Sequence, residues 1–397
     1  MRRIKPFDYG KGGEVMADRV GIVGIYQTKY EPRKIFDSYP EMVFEACSKV
    51  LEETGLTIGD MDQIVTNSQD FWDGRTISNR TVSEACGSVL RAESKVAMDG
   101  TFAVFYAAMR ILSGCYDSCL FVSHCKMSEG DPHLINNAMF DPPYQRILGF
   151  DELSSCALQA RRYLNKYKIT EEQCARVAVK NLKNGKLNPL VHRSGEVTVD
   201  QVMRSPMLAD PIKELDAYPV TDGACAMILA VEEKARKWCP NPVWLSGMAS
   251  RMDSFYLGDR DLAEAASLTL AARKAYRMAG ISNPLKEIDL VELSDFYSYQ
   301  ELLWLGGMGF CRPGKAVKML DRGITELGGE LPVNPSGGIL SGNPVTVAGA
   351  ARVAEAALQL MGKAGKHQVE GAGKAVAQGH CGPCGQAQCV IILEKGV

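Results

Sequence analysis

With 397 residues, 46% of them hydrophobic and 23% charged, the chain has an ordinary globular composition and enough length for two core-bearing halves. A net charge of −2 with no long basic run excludes the electrostatic footprint of nucleic-acid binding. No apolar run reaches membrane-spanning length, and the opening residues, MRRIKPFDYGKGGEVMADRV, lack the apolar segment of a secretory signal. Thirteen scattered cysteines in so long a chain point to free thiols in a reducing compartment, so the expected location is the cytoplasm.

In chain order, Val20 to Ile25 reads as a short strand, and Pro40 to Gly55 as an amphipathic helix that opens on a proline and stops at a glycine. Asp62 to Asn67 gives another strand, followed by a polar, irregular stretch. Thr101 to Leu112 is a helix ending at Ser113-Gly114, and Ser118 to Ser123 is the strand after it. This alternation implies an α/β domain. From about Lys126 to Val220 prolines accumulate, and basic helices such as Ala175 to Leu187 interrupt the pattern. That segment reads as an inserted loop domain over a site, with Asp131 to Arg146 as a cover for an acyl pocket. The alternation resumes with the small-residue strand Asp222 to Leu229, of the fully buried type.

From Pro242 the first half starts again, VWLSGMASRM answering VGIVGIYQTK and Met278-Ala279-Gly280-Ile281 answering Glu53-Thr54-Gly55-Leu56. The halves are expected at 1–240 and 241–397, with a site at their pseudo-twofold junction. The stretch LPVNPSGGILSGNPVTVAGAARVAEAALQL, from Leu331 to Leu360, is a glycine-rich loop feeding a small-residue helix. The helix after Gly342 answers the one after Gly100. Such a loop can hold an anion or a polarised carbonyl at a helix start.

A duplicated α/β chain carrying these segments resembles the thiolase superfamily. The motifs are NPSGG, GNP-x(4)-G, VELSDFYSYQELL, TDGACAMIL and the C-terminal loop HCGPCGQ. The likeness is greatest to lipid-transfer-protein-type thiolases and to chains that work with a small zinc-ribbon and OB-fold companion. It implies a thiolase fold, with duplicated βαβαβ-type halves in a layered α-β-α-β-α core. It further implies coenzyme A thioesters as substrate and product, a homodimer, and a companion subunit carrying its own zinc. The implied reaction is cleavage or formation of a carbon–carbon bond in a bulky β-ketoacyl-CoA. A thiolase-fold retro-aldolase acting on a β-hydroxyacyl-CoA and a non-catalytic partner subunit are the alternatives.

The departures from the family pattern matter most. Counting back from Ser113-Gly114, the nucleophilic cysteine position falls on Ala97, which cannot carry an acyl group. The usual Asn or His falls on Ser294, and the histidine of the second-half loop on Asn343. Only Cys381 matches, so it is the expected sulfur, with the Gly382 and Cys384 N–H groups facing an oxyanion. Asn343 can donate a hydrogen bond, and Tyr297, Tyr299, His124 and His380 are further acid–base candidates. Asp99 reads as a helix N-cap. Lys180, Lys183, Lys186 and Arg193 are candidates for CoA contacts, with Gly342 and Gly382 as close-approach glycines. Cys381-x-x-Cys384 with His380 and Cys389 is the sole metal-like cluster; no second pair at ligand spacing supports it, and no metal is expected.

Overall fold

The computed structural model describes residues 19–396. Residues 1–18, most of the stretch read as free of a secretory signal, lie outside the described residues. The principal elements of the first half are β1 (Val20–Gln27), α1 (Tyr39–Thr54), β2 (Gln63–Asn67), β3 (Ala92–Val96), α2 (Gly100–Leu112) and β4 (Ser118–Lys126). Helices α3 (Pro132–Asn137), α4 (Glu152–Tyr167) and α5 (Glu171–Gly185), with a further short helix at Val199–Arg204, then precede β5 (Asp222–Val231). The second half holds β6 (Val243–Met252), α6 (Ala266–Met278), β7 (Leu290–Leu293), α7 (Ser298–Gly307), α8 (Ala348–Met361), β8 (Lys374–Cys381) and β9 (Ala387–Lys395). No helix among the described residues is long and apolar enough to cross a membrane.

Local chemistry sets the helix limits. At the start of α1 the Glu41 carboxylate accepts from the Ser38 N–H at 2.7 Å, Pro40 occupies the first turn, and Gly55 closes the helix at φ 68°. The nine strands run β3-β2-β4-β5-β1-β6-β9-β8-β7. Within the first half β3, β2 and β4 are parallel, and β5 and β1 are antiparallel additions. The second half repeats the scheme: β7 and β8 are parallel, and β9 and β6 are antiparallel additions. A parallel bridge from Val333 to Val291 stands where β3 stands in the first half. Among the described residues the two halves meet edge to edge only at Gly21–Trp244 and Ile22–Val243.

Alternation along the strands sorts the core into layers. Val23, Ile64, Leu120, Val122, Ala226 and Ile228 face α1 on one outer side. Their neighbours Ile22, Val65, Phe121, Met227 and Leu229 face inward to α2 and α8. On the far side Val291, Leu293, Val390 and Ile392 pack on α6 and α7. The result is the expected α-β-α-β-α arrangement.

One reading needs correction. Ala92–Val96, taken as irregular, is strand β3: its alternating AESKV is half-buried throughout, which hides the apolar signal. The second-half central helix starts at Ala348, capped at Val347 where the helical spacing of its apolar residues begins, after a short 3-10 turn at Ile339–Ser341. In the middle layer the starts of α2 and α8 touch. The Gly100 N–H donates to the Thr346 carbonyl at 3.0 Å, and a β-carbon on Gly100 would stand 2.3 Å from the Ala350 nitrogen. Only glycine permits that approach.

Candidate active site

Where the two central helices begin, their free N–H groups converge on one carboxylate. Asp99 caps α2: its Oδ1 accepts from the Thr101 N–H at 3.0 Å and the Thr101 hydroxyl at 2.6 Å, and its Oδ2 accepts from the Gly349 N–H of α8 at 2.9 Å. A β-carbon on Gly349 would lie 1.9 Å, and one on Gly379 2.1 Å, from Asp99 Oδ1. Two glycines from the second half thus cradle an acid from the first. Burial pushes the Asp99 carboxyl up to about 6, although these donors pull the other way.

Asp99 lines a small pocket of about 40 Å³ with Gln69, Asn136, Met139, Glu152, Tyr218, Phe296, Val345, His380, Cys381 and Gly382. Both halves and the segment between β4 and β5 contribute. Glu152 opens α4, and its Oε2 accepts from the Tyr218 and Tyr297 hydroxyls at 3.0 Å each. Burial raises its carboxyl to about 7. His380, at the end of β8, packs edge-on against Phe296 and Trp304 at centroid distances of 5.0 and 5.4 Å. Burial lowers its imidazole to about 3, so it is neutral, and its Nε2 makes no hydrogen bond within the protein. Cys381 is half-buried beside it. Burial and then the Asp99 charge push its thiol up to about 11. Alkylation of Cys381 by iodoacetamide is therefore expected to be slow at neutral pH and to keep accelerating past about pH 8.5, the ordinary thiol value. Labelling that saturates near neutrality would show an activated thiolate.

Of the residues singled out in the sequence, Cys381, His380 and Gly382 line the pocket, and Tyr297 reaches it through Glu152. The others lie elsewhere. Asn343 is buried, and its Oδ1 accepts from Arg352 Nη2 at 2.7 Å. Arg352 also pairs with the buried Glu292, so Asn343 belongs to a structural charge network; Val345 is the pocket residue of that loop. Gly342, at φ 109°, turns the chain against Thr221, His192 and Pro219. Ser294 is tied to Gln378, its N–H donating to Oε1 at 2.9 Å and its hydroxyl to the backbone carbonyl at 3.1 Å. His124 is fully buried, stacked on Tyr39 with Nε2 3.3 Å from Asp73 Oδ1. The Tyr299 hydroxyl donates to Gln159 at 2.8 Å.

The basic candidates divide in the same way. Lys180 is buried, with Nζ 3.1 Å from Glu301 and donating to Asn181 Oδ1 and the Val333 carbonyl at 2.7 Å each. Arg193 clamps backbone carbonyls, including that of Leu340 at 2.9 Å. Lys183 and Lys186 are exposed on a separate surface groove with Glu196 and Glu326, and Lys186 pairs with Glu196 at 2.7 Å. Among the described residues no group of three or more His, Cys, Asp or Glu is placed to hold a metal.

Sequence reasoning missed Glu152 and Gln69, and it gave Asp99 only a capping role; Asn136 and Met139 come from the Asp131 to Arg146 segment read as a cover. The residue at the start of the first-half central helix is Asp99, two places beyond Ala97. The signal was present in Asp99-Gly100-Thr101, a cap next to a close-approach glycine.

Residues 20–233 match the thiolase N-terminal domain family and residues 249–395 the thiolase C-terminal domain-like family. The chain belongs to the thiolase superfamily, a family of acyl-CoA enzymes. It is 34% identical over 363 residues to an acetyl-CoA acetyltransferase of Methanothermobacter thermautotrophicus, covering 89% of this chain and 94% of that protein. Over 216 residues it is 30% identical to benzoylsuccinyl-CoA thiolase subunit BbsB of Thauera aromatica, covering 54% of this chain and 56% of that one. In fold it is similar to the Ltp2-ChsH2(DUF35) aldolase, with a TM-score of 0.81, 23% identity, and coverage of 95% of this chain and 97% of that chain.

Proposed function

We propose that the chain cleaves a carbon–carbon bond in a β-hydroxyacyl-CoA by a retro-aldol reaction, without an acyl-enzyme. The observation that carries this reading is the carboxylate of Asp99, which lines the pocket at the start of the first-half central helix, while Ala97 holds the position expected for the family's cysteine. Retro-aldol cleavage needs a base for the β-hydroxyl, donors for the developing enolate and an acid for the α-carbon. Asp99 takes the hydroxyl proton as the Cα–Cβ bond breaks, which releases an aldehyde or ketone. The neutral His380 Nε2–H donates to the enolate oxygen of the thioester. Glu152, held by two phenols, returns a proton to Cα to give the shortened acyl-CoA.

The pH dependence follows from the two carboxyls. The base works only above about 6 and the acid only below about 7, so the rate should rise through the first value and fall through the second. A narrow bell with its maximum between them is expected in kcat/KM. The direct test is product analysis with a panel of β-hydroxyacyl-CoA thioesters. A CoA-independent release of carbonyl compound supports the reading, and turnover only of β-ketoacyl-CoA with free CoA contradicts it.

The second reading is thiolysis, or the reverse condensation, of a bulky β-ketoacyl-CoA with Cys381 as the sulfur. The 34% identity to an acetyl-CoA acetyltransferase favours it. Cleavage of 2-benzoylsuccinyl-CoA to benzoyl-CoA and succinyl-CoA is its particular form, after the partial likeness to BbsB. Its weakness is a thiol held up to about 11.

Two partners belong to the proposal. A second copy would pair along β3, the outermost strand of the first half, beside the fully exposed Leu90. A zinc-ribbon and OB-fold companion, with its own zinc, would assist the site. Coelution of the chain as a dimer, lost in Leu90→Asp, tests the first.

A further inference from the structure

The loop that brings Cys381 to the pocket continues as Gly382-Pro383-Cys384, and Cys384 turns away from the cavity. It is buried, its Sγ donates to the Ser155 carbonyl at 3.2 Å, and its φ of 53° lies in the left-handed region that a side chain disfavours. The residue after Ser155 on α4, Cys156, is also buried, so the Cys384 sulfur sits against the carbonyl that precedes a second buried thiol. Gln159, one turn further along α4, donates to the Cys384 carbonyl at 3.2 Å. Cys156 stands four residues after Glu152, on the same face of that helix. Two free, buried thiols thus stand where the loop of Cys381 meets the helix of Glu152, and neither takes part in the proposed chemistry. The Cys156 thiol is held well above the usual range, first by its proximity to the Cys384 thiol and then by burial, so Cys156 is protonated in the reduced protein.

We propose that Cys156 and Cys384 form a reversible disulfide, a redox latch that ties the Cys381 loop to α4 and so alters the pocket. In the oxidising direction both S–H bonds break and one S–S bond forms. Two electrons and two protons pass to an organic hydroperoxide, whose O–O bond breaks to give an alcohol and water. A dithiol reverses the step by exchange, becoming oxidised itself. Closing the bond draws the two sulfurs to covalent distance. The loop then moves against the helix, and Cys381 and His380 shift relative to Glu152. The consequence for ligand binding rests on the proposed site; formation of the bond does not.

The test uses the full chain treated with tert-butyl hydroperoxide and mapped by non-reducing peptide mass spectrometry, with no substrate present. A linked Cys156–Cys384 peptide that disappears with dithiothreitol is expected. Acetyl-CoA binding, read by calorimetry, should be roughly fivefold or more weaker in the oxidised protein and recover on reduction. Cys156→Ser should bind acetyl-CoA as the reduced wild type does and ignore the oxidant. If that variant does not fold, Cys384→Ser and the wild-type peptide map decide. No linked peptide, or a link from Cys381 instead, overturns the disulfide; a Cys156–Cys384 link that leaves binding unchanged overturns the latch. Absence of retro-aldol turnover with the link present would count against the proposed function alone.

Discussion

Asp99→Asn is expected to lower kcat/KM by ~10²–10⁴-fold, the usual contribution of a positioned general base. Asparagine keeps the size of the side chain but has one acceptor oxygen, so it can serve the Thr101 donors only by setting its NH2 against the Gly349 N–H, which weakens the join between the helix starts. What it loses is the ability to take a proton. The ascending limb of the pH profile near 6 should vanish with it. Cys381→Ala should cost no more than about tenfold, the scale of one neutral hydrogen bond. Steady-state kinetics on both variants separate the readings: a Cys381 variant that is inactive beside an active Asp99 variant would assign the chemistry to sulfur.

Arg352→Met is expected to lower the unfolding free energy by about 3–5 kcal/mol, because it strands a buried carboxylate. Arg352 pairs through Nη1 with Glu292, donates to the Ser336 hydroxyl at 2.8 Å, and holds Asn343. Burial raises the Glu292 carboxyl and the Arg352 charge opposes that rise. Without the guanidinium, Glu292 must take up a proton or stay unpaired. Arg352→Met combined with Glu292→Gln should recover part of the loss, since no charge is then buried alone. Urea unfolding of the two variants reads this directly. A loss below about 1 kcal/mol in the single variant would mean the network is solvated.

These two sites also show where the sequence is a good guide and where it is not. Strands with both faces buried, such as β5, and helices with clear stops, such as α1, can be read locally because burial and capping leave their marks within a few residues. The layered, duplicated fold follows from them and from the family motifs. The edge strand β3 does not, because it has no apolar face to declare it.

The site was less legible because its parts are joined across long separations. Asn343 occupies the position from which a family histidine would act, yet its acceptor is claimed by Arg352, nine residues on and one helix deeper. Lys180 falls on a helix that looks solvent-facing, and only the fold brings Glu301 and the Val333 carbonyl to it. Glu152 carries no local motif; its raised carboxyl depends on Tyr218 and Tyr297 arriving from other segments. Asp99 was named, but as a cap, because a gapless count from Ser113-Gly114 placed the reactive position at Ala97. The glycines that fit around its carboxylate, Gly349 and Gly379, lie more than two hundred residues away.

The most direct test of the account is rapid-quench intact-mass analysis of the chain, with its companion if one copurifies, during turnover of a β-hydroxyacyl-CoA. The account predicts release of a carbonyl compound and the shortened acyl-CoA while the protein mass stays unchanged at every time point. A transient acyl adduct that maps to Cys381 would contradict it and assign the chain to thiolysis through a covalent intermediate.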